Sequence, residues 1–523
     1  MTLRLGIDVG GTNTDAVLIA DEGDVVASVK RPTTEDVAGG IRSALAAVLV
    51  DVDAADVRLA CLGTTQCTNA IVERRGLRRV GVLRLGAPAT TAVPPLEDWP
   101  DELRSSVLHD ATIVPGGHHV DGRVISELDE EAVRTLAKTW AGEVEAVAVA
   151  SVFSPVTAAH ERRAARIVSQ ELSVPIAVSH EIGSMGLLER ENATVLNAAL
   201  TGVAERATTA FRHALDESGV AAAPYLSQND GTLMELDWAR RYPVLTIGSG
   251  PTNSLRGGAW LSGRDSGIVI DVGGTTADFG ALVSGFPRES ANAIDVGGVR
   301  TNFRMPDLVA VALGGGTVVS GSTDDLRLGP ESVGHRITQE ALVFGGLTVT
   351  LTDVAVAAGI CDLGTTPERA RTRMGAAQVD VAWQLARQRL GDALDRMRTT
   401  RAEVPVIAVG GGAFLVPDDL PGAREILRPQ HYEVANAVGA AMAEASGSVD
   451  RVVRTGDGGR ERAVREAIED ARTQAVAGGA DPTRLREIEV EEIALSYLPG
   501  EAVRVRVRSA GPITRFVGSE EVA

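Results

Sequence analysis

The sequence predicts an α/β protein with two lobes, an α/β unit inserted into the first lobe and a small C-terminal β unit. Three observations support this fold class. The chain has 523 residues, which is too many for a single hydrophobic core. The motif Asp-Val-Gly-Gly-Thr starts at residue 8 and again at residue 271, a separation far beyond the period of a solenoid. Apolar runs flank both copies, as they do in a β-hairpin.

The remaining elements follow from hydrophobic periodicity and turn signals. A long helical pattern over 188–216 leads toward the second copy of the motif, and β-branched residues alternate with polar ones near the C-terminus. The predicted division is 1–77 (first lobe, first part), 78–185 (inserted α/β unit), 186–262 (rest of the first lobe and a connecting helix), 263–450 (second lobe) and 451–523 (C-terminal helix and β tail).

Composition excludes several function classes. The formal net charge is −19, so we expect no nucleic-acid or anionic membrane partner. The sequence contains no run of about 18 apolar residues, so it predicts no transmembrane segment. The cysteines Cys61, Cys67 and Cys361 form no C-x-x-C pair, which indicates buried thiols and a cytoplasmic protein.

The repeated hairpin has the composition of a phosphate site. Glycines let the backbone approach a ligand, their N–H groups can cradle phosphate oxygens, and a following threonine adds a hydroxyl donor. An aspartate at the end of the preceding strand can hold Mg²⁺ with its waters, which makes Asp8 and Asp271 the metal candidates. Asp278 ends the second copy, where an aspartate can contact metal or orient water, so the catalytic candidates are Asp8, Asp271 and Asp278. The predicted nucleotide contacts of the two hairpins are Gly10, Gly11, Thr12, Asn13, Gly273, Gly274, Thr275 and Thr276.

A simpler interpretation of the same residues stays open. Each carboxylate can cap its own turn, and Asp15 and Asp278 can stabilise the hairpin rather than act in catalysis. One Gly-Gly turn alone would favour that interpretation. Two copies on different lobes favour a clamp that holds one triphosphate from both sides.

The order of motifs resembles the actin, Hsp70 and sugar-kinase superfold, which has two ribonuclease-H-like domains. IDVGGTNTD (7–15) and VIDVGGTTADFG (269–280) resemble its two phosphate motifs, and SGPTNSLRGGAW (249–260) resembles its first connecting helix. VIAVGGGAFLVP (406–417) resembles its adenosine motif, and YEVANAVGAAMAEA (432–445) its second connecting helix. The resemblance implies a two-lobed, actin-like ATPase in which Gly410, Gly411 and Gly412 pass under the nucleotide.

Longer stretches resemble one family more specifically. GTTQCTNAIVERRG (63–76), LLERENATVLNAAL (187–200) and ALVFGGLTVTLTDVAVAAG (341–359) are similar to the A-type subunit of the hydantoinase/oxoprolinase family, in its shorter branch. The resemblance implies ATP and Mg²⁺ as cofactors and a cyclic amide or imide as substrate. It also implies a B-type partner subunit; a homo-oligomer is a further option.

The reaction that this resemblance implies has a clear chemical logic. The nitrogen lone pair makes a lactam carbonyl a poor electrophile, so phosphorylating the carbonyl oxygen would prepare the ring for opening by water. Two alternatives remain on the same fold. One is an ATP-gated interaction or assembly protein, and the other is a small-molecule kinase that releases the phosphoester.

The stretch GGVRTNFRMPD (297–307) is the candidate substrate site. Arg300 and Arg304 lie four residues apart with Thr301 and Asn302 between them, and a guanidinium can bind an acidic substrate group through two parallel hydrogen bonds. The alternative is that both arginines pair with acidic residues of this acidic chain.

Overall fold

The computed structural model describes residues 2–11, 13–33, 37–290, 294–364, 367–454, 459–495 and 502–514. The chain begins with a hairpin of two apolar strands whose residues are almost all buried, as expected for the centre of a sheet. The elements of this first part are β1 (Leu3–Val9), β2 (Asn13–Ala20), β3 (Val25–Pro32), α1 (Val37–Val48), β4 (Val57–Thr64) and α2 (Gln66–Glu73).

The inserted unit is a four-stranded parallel sheet in the order β6-β5-β7-β8, packed against helices. All of its strands lie within the predicted segment 78–185. Its elements are β5 (Val80–Ala87), α3 (Asp101–Val107), β6 (Leu108–Pro115), α4 (Glu130–Thr139), β7 (Ala146–Ser151), α5 (Ala159–Glu171) and β8 (Ile176–Val178).

A 31-residue helix returns the chain to the first lobe, which confirms the long helical pattern. Two strands then join the first sheet, and a glycine-rich helix leads to the second lobe. These elements are α6 (Leu187–Glu217), β9 (Ala223–Ser227), β10 (Thr232–Glu235), α7 (Leu236–Arg241) and α8 (Ser249–Ser262).

The second lobe is built on a six-stranded sheet in the order β13-β12-β11-β19-β20, with β16 paired to β12. Its first two strands form the second predicted hairpin, so both hairpins are confirmed. The elements are β11 (Gly267–Val272), β12 (Ala277–Val283), β13 (Phe286–Pro287), β14 (Ile294–Val296), β15 (Val299–Thr301), β16 (Leu308–Val311), β17 (Thr317–Ser320), β18 (Arg327–Ser332), α9 (Ile337–Glu340), α10 (Leu351–Ala357), α11 (Glu368–Met374), α12 (Ala376–Met397), β19 (Val404–Val409) and β20 (Ala423–Leu427).

The C-terminal strands extend the sheet of the first lobe. They follow α13 (Ala435–Met442) and consist of β21 (Glu444–Arg454), β22 (Arg486–Ala494) and β23 (Ala502–Gly511), with α14 (Gly459–Ala477) packed on them. Strand β21 pairs in parallel with β10, which completes a nine-stranded sheet. The expected division at residue 450 therefore falls inside β21.

Two of the three predicted buried thiols are fully buried. Cys61 and Cys67 lie in the core, whereas Cys361 is half-buried; all three are free thiols. Burial raises the pKa of Cys67 to about 11, so this thiol is protonated at neutral pH. The helices that the structure describes include none that is long and apolar enough to cross a bilayer.

The lobes meet where α8 crosses α13 at very close range. A Cβ atom on Gly257 would lie 1.8 Å from the carbonyl oxygen of Ala435, and one on Gly439 would lie 1.9 Å from the carbonyl oxygen of Asn253. Only glycine permits this contact between the two helix backbones, because any side chain at either position would overlap main-chain atoms.

We expect Gly439→Ala to lower the free energy of unfolding by at least about 2 kcal/mol, because the added methyl group must push the two helices apart. Gly391→Ala is the matched control. Gly391 also lies inside a helix, but there a Cβ would meet only Pro421 at 3.6 Å. This change should be neutral or stabilise by up to about 1 kcal/mol. Urea unfolding measures both; equal effects would contradict the close crossing.

Candidate active site

The two hairpins have the same geometry. Asp8 lies opposite Asp15 in the first, and Asp271 lies opposite Asp278 in the second. Each turn is closed by its first glycine: the Gly10 N–H donates to the Asn13 carbonyl at 3.0 Å, and in the second hairpin the corresponding bond from Gly273 to Thr276 measures 2.9 Å. The sequence repeat is therefore also a structural repeat, with two carboxylates at the end of each hairpin.

The turns leave other backbone groups for a ligand. The N–H groups of Gly274 and Thr275 donate to no acceptor within the described ranges. A Cβ on Gly11 or Gly411 would meet no atom within 4 Å, so both positions border open space. Thr12 lies outside the described residues. Because the N–H groups of Gly10 and Gly273 close the turns, the groups free to cradle phosphate belong to the residues that follow them.

Helix α8 contacts one aspartate from each lobe. Asn253 Nδ2 donates to Asp8 Oδ1 at 3.2 Å, and the hydroxyl of the next residue, Ser254, donates to Asp271 Oδ2 at 2.5 Å. Asn436 Nδ2 on α13 donates to Asp8 Oδ2 at 3.0 Å. Sequence reasoning identified both helices as connectors but missed these three side chains, which hold the carboxylates in place.

Two glycine-rich turns pack against the second hairpin. The N–H groups of Gly315 and Gly316 donate to the carbonyls of Gly273 and Gly274 at 3.0 and 2.7 Å. Gly412 donates to the Val272 carbonyl at 2.8 Å. Gly410 has a φ of +84°, and its Cα lies so close to Asp271 that a Cβ would overlap Oδ1. Of the three predicted adenosine-motif glycines, Gly410 therefore lies against Asp271 and Gly412 against the start of the second hairpin turn, while Gly411 borders open space.

The four carboxylates interact electrostatically across the lobes. Burial raises the pKa of Asp8 to about 6, and the negative charges of Asp15 and Asp271 add to this shift. Burial and the charge of Asp271 raise the pKa of Asp278 to about 7. Burial also raises the pKa values of Asp15 and Asp271. Such a cluster favours the entry of a cation.

We expect protein stability to fall as the pH rises from about 4 to about 7. A carboxyl with a raised native pKa binds its proton more tightly when folded, so the native state loses this advantage as the pH rises through that window. In Asp278→Asn, the fall in the free energy of unfolding over this pH range should be smaller by on the order of 1–3 kcal/mol. Urea unfolding without nucleotide or divalent cations at pH 4.5 and 7.5 measures this, with Asp216→Asn on exposed α6 surface as control. A steeper decline in Asp278→Asn would contradict it.

The donor set fits Mg²⁺ rather than a closed metal cage. Within the described residues, no three His, Cys, Asp or Glu side chains converge on one point. Among the residues that the structure describes, the buried Asp15 Oδ1 has no hydrogen-bond partner, and the carboxylates of Asp8 and Asp271 come from the hairpins of opposite lobes. Mg²⁺ in phosphate sites is held by one or two carboxylates, waters and the phosphates themselves.

The predicted substrate stretch crosses to the first lobe. Val296, Val299 and Phe303 pack into a core with residues of α6, and the main chain is held by asparagine amides. Asn192 Nδ2 donates to the Arg300 carbonyl at 3.0 Å, and Asn229 Nδ2 donates to the Arg304 carbonyl at 2.8 Å. This segment therefore bridges the lobes.

Its four candidate side chains do not form one group. Arg304 pairs with Glu289 and, at 3.0 Å, with Glu489 of the C-terminal strands. Asn302 Nδ2 donates to the Met185 carbonyl at 2.9 Å, and the Thr301 hydroxyl donates to the Ile294 carbonyl. The Arg300 side chain is 67% exposed, and its one ion pair among the described residues is with Glu189, at 3.7 Å. Of the four, Arg300 alone presents its charged group to solvent.

The family comparisons cover most of the chain. A model described as the hydantoinase/oxoprolinase N-terminal region matches residues 4–172, and the hydantoinase/oxoprolinase model matches residues 190–395. The caprolactamase subunit alpha of Pseudomonas jessenii is 29% identical over 385 residues, which cover 68% of this chain and 54% of that protein. The acetophenone carboxylase gamma subunit of Aromatoleum aromaticum is 28% identical over 391 residues, which cover 68% of this chain and 53% of that protein.

A solved structure shows the same fold. The ATP-dependent caprolactamase from Pseudomonas jessenii superposes with a TM-score of 0.78 at 22% identity, covering 98% of this chain and 88% of that chain. The predicted two-lobed, actin-like α/β architecture is thereby confirmed. The chain spans about half the length of the curated relatives it matches.

Proposed function

Because this chain belongs to the hydantoinase/oxoprolinase family, we propose that it uses ATP in the cytoplasm to phosphorylate the carbonyl oxygen of a cyclic amide or imide, which prepares the ring for opening by water. One observation carries the proposal. The duplicated hairpin brings two carboxylates from each lobe close enough to interact electrostatically, and helix α8 hydrogen-bonds to one aspartate of each pair. We call the region around these four aspartates the cleft.

Different residues of the cleft have different roles in phosphoryl transfer. The free N–H groups of Gly274 and Thr275 cradle phosphate oxygens, and the open turn at Gly11 contributes to the same site from the other lobe. Asp8 and Asp271 would hold Mg²⁺, which would neutralise phosphate charge. Asp278, whose raised pKa lies near neutrality, is positioned to accept or return a proton. Gly410, Gly411 and Gly412 border the adenosine.

Arg300 is the proposed substrate contact of the bridging segment. Its guanidinium is exposed and only loosely paired with Glu189, so an acidic substrate group can displace that pairing. Arg304 is engaged by two glutamates, which supports a structural role for it. A B-type subunit is the proposed partner, because the caprolactamase relative is itself named as one subunit of an enzyme.

We expect Arg300→Ala to weaken substrate-stimulated ATP turnover by about 1.5–3 kcal/mol, the usual size of a charge-assisted bond, and to leave nucleotide affinity unchanged. Steady-state kinetics and calorimetry of nucleotide binding measure the two quantities. The control is Arg123→Ala, which removes an exposed arginine of the inserted unit. Full stimulation in Arg300→Ala would place the substrate pocket elsewhere.

The test of the function is ATP turnover with a panel of lactams, hydantoins and 5-oxoproline, with and without a B-type subunit. Substrate-dependent release of ADP and of the ring-opened product supports the proposal. A stable phosphoester would favour a small-molecule kinase, and ATP-dependent complex formation without product would favour an assembly protein. An aromatic ketone with bicarbonate belongs in the panel, because a carboxylase subunit is also similar to this chain. If product forms only with the ketone and bicarbonate, the proposal that the substrate is a cyclic amide or imide would be wrong.

A further inference from the structure

One basic side chain of the cleft has no role in the function described so far. Lys30 Nζ lies 2.6 Å from Asp15 Oδ2, at the end of the first hairpin. Sequence reasoning did not single out this residue, because no motif contains it. Among the described residues, it is the only cation that forms an ion pair with any of the four cleft aspartates.

Strand register explains how Lys30 reaches the cleft. Lys30 on β3 lies opposite Asp15 on β2, which lies opposite Asp8 on β1. Residues directly opposite one another on neighbouring strands share a face of the sheet. Lys30, Asp15 and Asp8 therefore form a row across three strands, and Asn253 and Asn436 from the interlobe helices contact this row at Asp8.

The ammonium group of Lys30 has capacity left for a ligand. Its side chain is 34% exposed, and within the described part of the chain its only acceptor is Asp15 Oδ2. An ammonium carries three N–H donors, so two remain available. The positive charge of Lys30 also affects an aspartate of the second lobe. Burial raises the pKa of Asp271, whereas the Ser254 hydrogen bond and the Lys30 charge lower it.

Composition makes a lysine at this position informative. The chain contains only two lysines, Lys30 and Lys138, beside 49 arginines. The other ion pairs of the described residues use arginine or histidine, so an arginine would be the ordinary partner for Asp15 in this protein. A lysine differs in being a compact charge on a flexible stem, which can turn from one oxygen anion to another.

We propose that Lys30 is a catalytic residue that turns from Asp15 to the terminal phosphate of bound ATP and stabilises it during transfer. The inference rests on the proposed function. In the transfer, the bond from the terminal phosphorus to the ADP oxygen breaks and a bond to the amide oxygen forms. Lys30 keeps its protons throughout; it supplies positive charge and N–H donors to the equatorial oxygens, where negative charge is spread in the transition state.

The small number of lysines allows a direct test that does not depend on turnover. Selective ¹³C labelling of lysine side chains during expression marks only Lys30 and Lys138 and leaves both ammonium groups unmodified, and a Lys138→Arg variant assigns the two signals. We expect the Lys30 signal to shift with a non-hydrolysable ATP analogue and Mg²⁺, and to shift much less with ADP. The Lys138 signal, on the exposed side of α4, should not move.

The outcomes separate this inference from the function on which it rests. Calorimetry first establishes whether the analogue binds. Binding with an unmoved Lys30 signal would overturn the role of Lys30 and leave the proposed function standing. A protein that binds no nucleotide would overturn both.

Substitutions distinguish phosphate binding from simple neutralisation of Asp15. We expect Lys30→Met to lower kcat for ATP turnover at least 30-fold and Lys30→Arg to lower it less, with Lys138→Met unchanged. If Lys30 acts on phosphate, Asp15→Asn will not restore turnover to Lys30→Met. Restored turnover in the double variant would mean that Lys30 only offsets the buried charge of Asp15, and the inference would be wrong.

Discussion

Asparagine at position 8 or position 271 is expected to lower ATP turnover by roughly two orders of magnitude, about 3 kcal/mol in activation free energy, while the protein stays folded. Asparagine keeps the size of aspartate but removes the charge that, in the proposed function, would hold Mg²⁺ beside the phosphates. The two carboxylates come from different lobes, and each is held by a hydrogen bond from α8. Loss of either one should therefore leave the triphosphate clamped from one side only.

Steady-state kinetics measures the loss of ATP turnover, and circular dichroism shows whether each variant stays folded. Asp216→Asn, on the exposed face of α6, is the control for a change from aspartate to asparagine that touches neither hairpin. Normal turnover in both folded variants would disprove the clamp. A loss in only one of them would assign the metal to a single lobe.

Replacing Arg84 by methionine should destabilise the inserted unit by about 3–5 kcal/mol, because it leaves a buried carboxylate without its cation. Arg84 on β5 donates through Nε and Nη2 to the two oxygens of Glu191 on α6, at 2.7 and 2.5 Å. Both side chains are fully buried. Burial raises the pKa of Glu191 even with the arginine present, so the isolated carboxyl would take up a proton at a cost in stability.

Two further variants isolate the cause. Arg84→Met combined with Glu191→Leu should recover most of the loss, because no buried charge remains. Arg123→Met removes an exposed partner of Asp121 and should cost less than about 1 kcal/mol. Urea unfolding followed at several wavelengths measures the differences and detects separate transitions of the units. Similar losses for Arg84→Met and Arg123→Met would show that burial of the pair does not matter.

Local features of this protein could be predicted from its sequence. An apolar run, two glycines and a second apolar run specify a strand, a turn and a strand within about 14 residues, so both hairpins were predicted at the correct positions. The same holds for α6, whose helical pattern needs no distant partner to be recognised. The candidate aspartates were found because they lie inside these local motifs.

Contacts between distant segments could not be predicted. The C-terminal strands were expected as a separate unit, yet β21 pairs with β10, more than 200 residues earlier in the chain. Arg304 was a candidate for substrate binding, with an ion pair to an unidentified acidic residue as the alternative; the structure pairs it with Glu489, 185 residues away. The local sequence does not identify either partner, because β21 could pair with any exposed strand edge and Arg304 could form an ion pair with any carboxylate.

The sequence by itself determined the two-lobed fold, the duplicated hairpins and the aspartates that each hairpin carries, because these depend on residues that are neighbours along the chain. Only the tertiary structure decided which side chains surround those aspartates: Asn253, Ser254 and Asn436 from the crossing helices, and Lys30 from a neighbouring strand. Strand register and helix packing bring these groups within hydrogen-bond distance, and both are set by the burial of the whole core rather than by any single segment.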